Sequence, residues 1–374
     1  MVVQALLIAI GIILIVASLN DVFQSVIVPR AVGRGYRPTF YTSRALWRIW
    51  PALAHRVHPN NEDAREDLLA VFAPLNLVVG LVVWSLMLLA GYGCIFYALR
   101  GQMNPAPHSF IDAFYFAGTS FFTIGYGDFV GRTGWTRLLS IAAGASGFGV
   151  ISTTTAYLFA IFGAFQVREQ FVVTTGARAG SPPSGIGLLT IAAHAGTYSD
   201  LPGLMREAQN WCAMILETHL AYPILAYFRS SHDYESWVGT LGTLLDAAVL
   251  MMTTVECNPG QARILYNLGR HATHDLAHYF RLMDGIDGHD PLISIEQYDD
   301  ARTRLADAGL RLVERDEAWK GFCQLRSTYA GHLNALAEFF DIPRLQWVGK
   351  NALVTSAHIR SQFDEKTLER IDKA

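Results

Sequence analysis

Three apolar runs constrain this chain more than any other feature. Residues 2–19, 70–98 and 135–166 each approach or exceed the ~20 residues that a helix needs to cross bilayer hydrocarbon. Composition agrees, because 51% of the 374 residues are hydrophobic and only 16% are charged, more apolar content than a soluble chain of this size usually needs. From Arg168 onward the apolar density falls, and the remainder reads as a soluble domain large enough for its own core. A formal charge of -3 shows no basic excess, so no nucleic-acid partner is expected. The first run lacks the basic flank and small-residue cleavage site of a secretory signal, so it is expected to be retained. Asn20 and Asp21 interrupt it, which leaves an interfacial or re-entrant first segment as the alternative to a spanning one.

Charge sets the expected orientation. Arg30, Arg34, Arg37, Arg44, Arg48, Arg56 and Arg65 crowd the segment between Asp21 and Asp67, whereas Gly101 to Gly134 holds only Arg132. Positive residues mark the cytoplasmic side. The N-terminus and the 101–134 segment are therefore expected outside, and the arginine-rich segment and everything after the third run inside. Tyr41, Trp47 and Trp50 beside Arg44 and Arg48 suit a helix at the headgroup boundary.

Between the second and third runs, Ser109 and Asp112 stand at the spacing of a helix-starting capping pair, ahead of the apolar stretch Phe110 to Phe122. That stretch predicts a helix too short to span, and it delivers the chain to Thr123-Ile124-Gly125-Tyr126-Gly127-Asp128. Gly125 and Gly127 can take positive φ and turn successive carbonyls the same way. The hexapeptide resembles the selectivity filter of the potassium channel pore-loop family, with isoleucine at the usual valine position and an intact Tyr126. Gly-Tyr-Gly also occurs in ordinary loops, so the flanking apolar segments give the match its weight.

The resemblance implies an all-α membrane protein: a tetrameric pore of outer helix, pore helix, filter and inner helix, with an extra N-terminal membrane helix and an α-helical cytoplasmic domain. Potassium would be held by Thr123, Ile124, Gly125, Tyr126 and Gly127, supported by Asp128 and the aromatic pair Tyr115 and Phe116. Trp135 and Arg137 fall near the outer end of the inner helix, and Gly147 falls at the hinge position. Three glycines, at 144, 147 and 149, suggest either close packing or a bend, since each costs a helix roughly 1 kcal/mol. Ser152, Thr153, Thr154 and Thr155 would wall the cavity, and the bulky residues that follow, Phe159 and Phe162 among them, would narrow the entrance. A single filter segment with no repeat implies a homotetramer. A non-conducting membrane sensor with a channel-like fold is the alternative.

The expected organisation is 1–28, the N-terminal membrane helix; 29–69, a basic interfacial segment; 70–167, the pore; 168–184, a linker of small residues and prolines; and 185–374, a helical regulatory domain. Helical periodicity covers Leu201 to Phe228, Tyr234 to Glu256, Ala262 to Met283 and Ser294 to Phe340. Gly185-Ile186-Gly187 lacks the remaining glycine and the preceding strand of a dinucleotide site. His271, His274 and His278 share a helical face, with Asp275 beside them and His289 among Asp284, Asp287 and Asp290; such imidazoles could bind a transition metal or titrate near neutral pH, or simply form a polar surface. The aspartate loop does not follow the spacing of a calcium-binding EF-hand. Cys94, Cys212, Cys257 and Cys323 are isolated, consistent with reduced thiols. No nucleophile and base arrangement is visible, so neither an enzyme nor an organic cofactor is expected. Membrane lipid and an unidentified cytoplasmic ligand or protein regulator are the expected partners, at the cell membrane.

Overall fold

The computed structural model describes residues 1–28, 38–180, 182–230, 235–284, 286 and 290–342. The chain divides into two compact units, Met1–Gly163 and Ala164–Ala374. Among the described residues, three stretches are long and apolar enough to cross a membrane: Val2–Ile27, Glu62–Ala98 and Gly134–Ala179. The protein is an all-α membrane protein.

In the first unit, helix α1 (Val2–Val22) runs unbroken past Asn20 and Asp21 and continues as a π-helical turn, Phe23–Ile27. Those 26 residues reach ~39 Å, enough to cross ~30 Å of hydrocarbon. Helix α2 (Pro38–Val57) and helix α3 (Glu62–Ala70) lead into α4 (Phe72–Ala98). Helices α1 and α4 cross at two glycines: a Cβ on Gly11 would stand 2.6 Å from the Gly91 carbonyl oxygen, and one on Gly91 would stand 2.9 Å from the Gly11 oxygen. In lipid such close backbone packing is a main source of helix association.

Asp21 is no interruption. It is fully buried, and its Oδ2 accepts from the Trp84 indole (3.0 Å), the Thr39 backbone N–H (2.9 Å) and the Thr39 hydroxyl (2.8 Å). One carboxylate thus ties α1, α2 and α4 together. The α2 tryptophans also turn toward the protein. Trp47 is buried with its ring 4.6 Å from Phe72, and the Trp50 indole donates to the Leu68 carbonyl at 2.9 Å.

Helix α5 (Phe110–Phe121) opens on a complete capping box: Ser109 Oγ accepts from the Asp112 N–H, and the Asp112 carboxylate accepts from the Ser109 N–H at 2.9 Å. Its apolar face, Ala113, Phe116, Ala117 and Phe121, joins Leu88, Leu89, Tyr92 and Phe96 of α4 in the core of this unit. A two-residue antiparallel ladder, β1 (Met103–Asn104) with β2 (Val130–Gly131), closes the loops around the motif.

Helix α6 (Gly134–Ala179) has 46 residues and spans ~69 Å, about twice the hydrocarbon thickness. The 168–184 segment is therefore not a linker as expected: it stays helical through Ala179, because Val172, Thr175 and Ala179 are buried in the second unit. Beyond it come α7 (Gly185–His194), α8 (Leu201–Ala221), α9 (Trp237–Thr253), α10 (Gly260–Tyr279), α11 (Ile295–Asp307) and α12 (Arg315–Phe339). Helix α9 is the axis of this unit, buried from Trp237 to Met251 and packed on α7, α10 and α12. A Cβ on Gly185 would stand 2.6 Å from the Ala247 nitrogen, so the Gly-x-Gly pair serves helix packing.

Two expected helices are shorter than periodicity suggested. Helix α8 stops at Ala221, where Pro223 begins a 3-10 turn, Pro223–Tyr227. The stretch expected from Ser294 to Phe340 breaks in two because Gly309 takes φ +80 and its N–H and that of Leu310 close back on Ala306 and Leu305. Residues on either side of Leu312 then bond to Thr254 and Glu256.

Candidate functional site

Helix α5 ends by turning its chain into the motif. The Thr123 N–H bonds the Ser120 carbonyl at 3.1 Å, and the Ile124 and Gly125 N–H groups both reach the Thr119 carbonyl, at 2.8 and 3.2 Å. From Thr123 to Gly127, φ alternates in sign: Thr123, Gly125 and Gly127 have φ of 55, 60 and 79, and Ile124 and Tyr126 are not positive. The N–H groups of Thr123, Ile124 and Gly125 are thus taken up by the last turn of α5. Every residue from Phe122 to Asp128 is exposed in the single chain.

Positive φ was foreseeable at the two glycines. At Thr123, a β-branched residue, the left-handed conformation costs ~1–2 kcal/mol, and the three hydrogen bonds to the end of α5 offset it. The Thr123 hydroxyl donates to the Phe122 carbonyl at 2.7 Å.

Tyr115 and Phe116 divide between two tasks. Phe116 is buried, its ring 4.8 Å from Phe96 and near-perpendicular to it, so it fastens α5 to α4. Tyr115 is partly exposed, packs its ring edge on Phe129 at 6.3 Å, and faces the Asp128 carboxylate with its hydroxyl. Asp128 also accepts from the Phe129 N–H at 3.1 Å.

Helix α6 backs this assembly with Gly144 and Gly147. A Cβ on Gly147 would lie 2.0 Å from the Phe121 carbonyl oxygen, and one on Gly144 would lie 3.2 Å from that of Ser120. Helix α6 runs unbroken through Gly147, and the close approach of Phe121 gives that glycine a packing role. Gly149 has open space.

Further along α6, Phe148, Ser152, Thr155, Phe159 and Phe162 recur at alternating intervals of four and three, all exposed within the subunit. At 100° per residue they form one stripe. Thr153 and Thr154 lie off it and are half-buried, so helical geometry splits the four-hydroxyl set into two and two.

A site that sequence inspection missed lies at the far end of α6. Arg168 is fully buried and donates to the Leu225 and Phe228 carbonyls, both at 2.8 Å, and to Glu169 at 2.9 Å. Trp211 donates its indole N–H to the Arg168 carbonyl, and its ring stacks on Phe171 at 5.0 Å. His219, also fully buried, donates from Nδ1 to the Ile215 carbonyl at 2.8 Å and leaves Nε2 without a partner. Burial and the Arg168 charge hold its pKa well below the ordinary histidine value. No local pattern announces these contacts; only the unusual position of an arginine among apolar residues hints at them.

The histidine face lies on α10. His271 Nε2 and His274 Nδ1 approach Asp275 at 3.4 and 3.2 Å, and the His274 and His278 rings are parallel with centroids 6.5 Å apart. His332 of α12 joins them, 5.3 Å from His274, and burial followed by the His274 charge lowers its pKa. Among the described residues no group of three or more His, Cys, Asp or Glu could hold a metal ion. His289 and Asp287 lie outside the described residues. Of the cysteines, Cys212 is fully buried and its thiol is pushed up to about 12, far from a reactive thiolate.

Residues 82–164 match the family model described as "Ion channel". A curated relative, the uncharacterized membrane protein YdjJ of Bacillus subtilis strain 168, is 25% identical over 206 residues, which are 53% of this chain and 59% of that protein. The chain therefore spans about three-fifths of the relative's length. No solved structure matches.

Proposed function

We propose, taking as premise that this all-α membrane protein carries an ion channel domain over residues 82–164, that four copies assemble into a potassium-selective pore in the cell membrane. The observation that carries this reading is the sign-alternating φ of Thr123 to Gly127, in a strand that is anchored to α5 through the N–H groups of Thr123, Ile124 and Gly125 and is otherwise exposed. A potassium ion shed of water needs rings of oxygens, and one strand supplies only one member of each ring. Four strands around an axis complete them.

Permeating potassium is the cargo, passed between the carbonyls of Thr123, Ile124, Gly125, Tyr126 and Gly127 and the Thr123 hydroxyl. Asp128 and Tyr115 hold the outer end of the strand, and Phe116 fixes the helix behind it. The Ser152 to Phe162 stripe lines the path below, with Phe159 and Phe162 as its narrow point. The helical domain, which we place in the cytoplasm on the arginine count of the 29–69 segment, gates the pore through α6, whose end it grips at Arg168. We assign the protein no catalytic role.

Reconstitution of the purified chain in liposomes under a potassium gradient tests this. Potassium flux well above sodium flux, lost in Gly125→Asp, is the expected result. Equal potassium and sodium flux overturns selectivity. Absence of flux from folded protein across pH and divalent metals supports the non-conducting sensor instead.

A further inference from the structure

Helix α2 is the least explained element of the first unit. It lies between two membrane-crossing segments, Val2–Ile27 and Glu62–Ala98, so it cannot leave the membrane surface by more than its short connections allow. Its buried side faces protein: Thr39 against Asp21, Trp47 against Phe72, and Ala54 with no exposure at all.

The outward side is built from two flanks. Ile49, Leu53 and Val57, spaced by four, are 64, 42 and 53% exposed and form one apolar row. Arg44, Arg48 and Arg56, spaced by four and eight, form a second row about 100° away around the helix. All three arginines are exposed, and none has an ion-pair partner among the described residues. The helix carries no acidic residue; the Asp21 carboxylate meets it only at its buried start, on Thr39, and Glu62, Asp63, Glu66 and Asp67 follow it in α3, where Glu62 reaches Arg65.

We infer that α2 is a binding surface for anionic phospholipid. Three unpaired guanidiniums meet headgroup phosphates, while the row Ile49, Leu53 and Val57 sinks into the boundary between headgroups and acyl chains. Charge complementarity selects this occupant. A neutral bilayer would satisfy the apolar row and leave the arginines unanswered. A second copy of the same face would bring like charges together. Because α2 is tied through Asp21 and Trp47 to α1 and α4, headgroup binding bears directly on the helix that packs against α5.

Native mass spectrometry of the full chain, with titrated phosphatidylglycerol or phosphatidylcholine, reads this without measuring flux, so its outcome is independent of the conduction proposed above. Wild-type protein is expected to retain phosphatidylglycerol in preference to phosphatidylcholine, with the preference falling about fivefold for each of Arg44→Gln, Arg48→Gln and Arg56→Gln. Lysine at the same positions keeps the charge and is expected to keep most of the preference, which separates charge recognition from damage to the fold. Equal retention of both lipids, or a preference unchanged in the triple glutamine variant, overturns the inference. So does lipid-independent crosslinking of α2 to α2, which would assign this face to a second copy.

Discussion

Gly147 of α6 lies so close to Phe121 of α5 that a Cβ there would stand 2.0 Å from the Phe121 carbonyl oxygen. The end of the short helix, from which the motif strand departs, rests on bare backbone. Any side chain at 147 must push Phe121 away and move the Thr119 carbonyl that holds Ile124 and Gly125.

Gly147→Ala is accordingly expected to destabilise the protein by ~1–3 kcal/mol through overpacking, although alanine is the better helix former. Gly149→Ala, in open space, is expected to be neutral or stabilising by up to ~1 kcal/mol. Thermal unfolding in detergent compares them. Equal behaviour of the two variants would show that the close approach does not decide stability, and a Gly147→Ala protein of normal stability with altered gating would assign Gly147 the hinge role.

Asp21 accepts from three donors on two other helices. Asp21→Ala leaves the Trp84 indole and the Thr39 N–H buried and unpaired, at ~1–3 kcal/mol each, and is expected to lower the unfolding temperature sharply. Asp21→Asn keeps an acceptor and is expected to lose less. Proteolysis after Arg44 or Arg48 supplies a local readout, because α2 held by fewer bonds opens more often.

Removing the Arg168 guanidinium takes one donor each from Glu169 and from the Leu225 and Phe228 carbonyls, and leaves Leu225, among the described residues, only its bond from the Phe228 N–H. Arg168→Met is expected to cost ~3–5 kcal/mol, with Arg168→Lys intermediate because one ammonium cannot span both carbonyls. The unfolding of the helical domain, followed by the fluorescence of Trp211 and Trp237, measures it. If α6 transmits gating, flux in Arg168→Lys also loses its regulation while the selectivity stays.

His219 predicts a pH dependence of known sign. Its folded pKa lies below the ordinary value because burial and Arg168 disfavour the charged ring, so the unfolded chain binds the proton more readily. Stability from this group is complete above the unfolded pKa of about 6.5 and is lost as pH falls from there toward the folded value. His219→Leu should flatten the unfolding temperature over that window. An unchanged acid slope would locate the proton elsewhere, with His332, also lowered, as the next residue to replace.

How far local sequence reaches is clear from particular residues. Ser109 and Asp112 announced α5 through spacing alone, and the structure closes that capping box. Gly125 and Gly127 announced positive φ because no other residue takes it so readily. The 168–184 stretch misled, because small residues and prolines read as a linker when the burial of Val172, Thr175 and Ala179 is not visible. Gly309 broke a helix whose apolar periodicity continued on both sides of it.

The sequence by itself determined the three crossing segments, the short capped helix between the second and third, and the glycine positions of the motif. Each follows from length, hydropathy or backbone freedom within a few consecutive residues. Only the tertiary structure decided that Asp21 binds Trp84, that Thr123 shares the alternating backbone, that Arg168 is seated on the carbonyls of Leu225 and Phe228, and that His332 faces His274. These partners are distant along the chain, and nothing in the periodicity of one helix specifies which face of another it will meet.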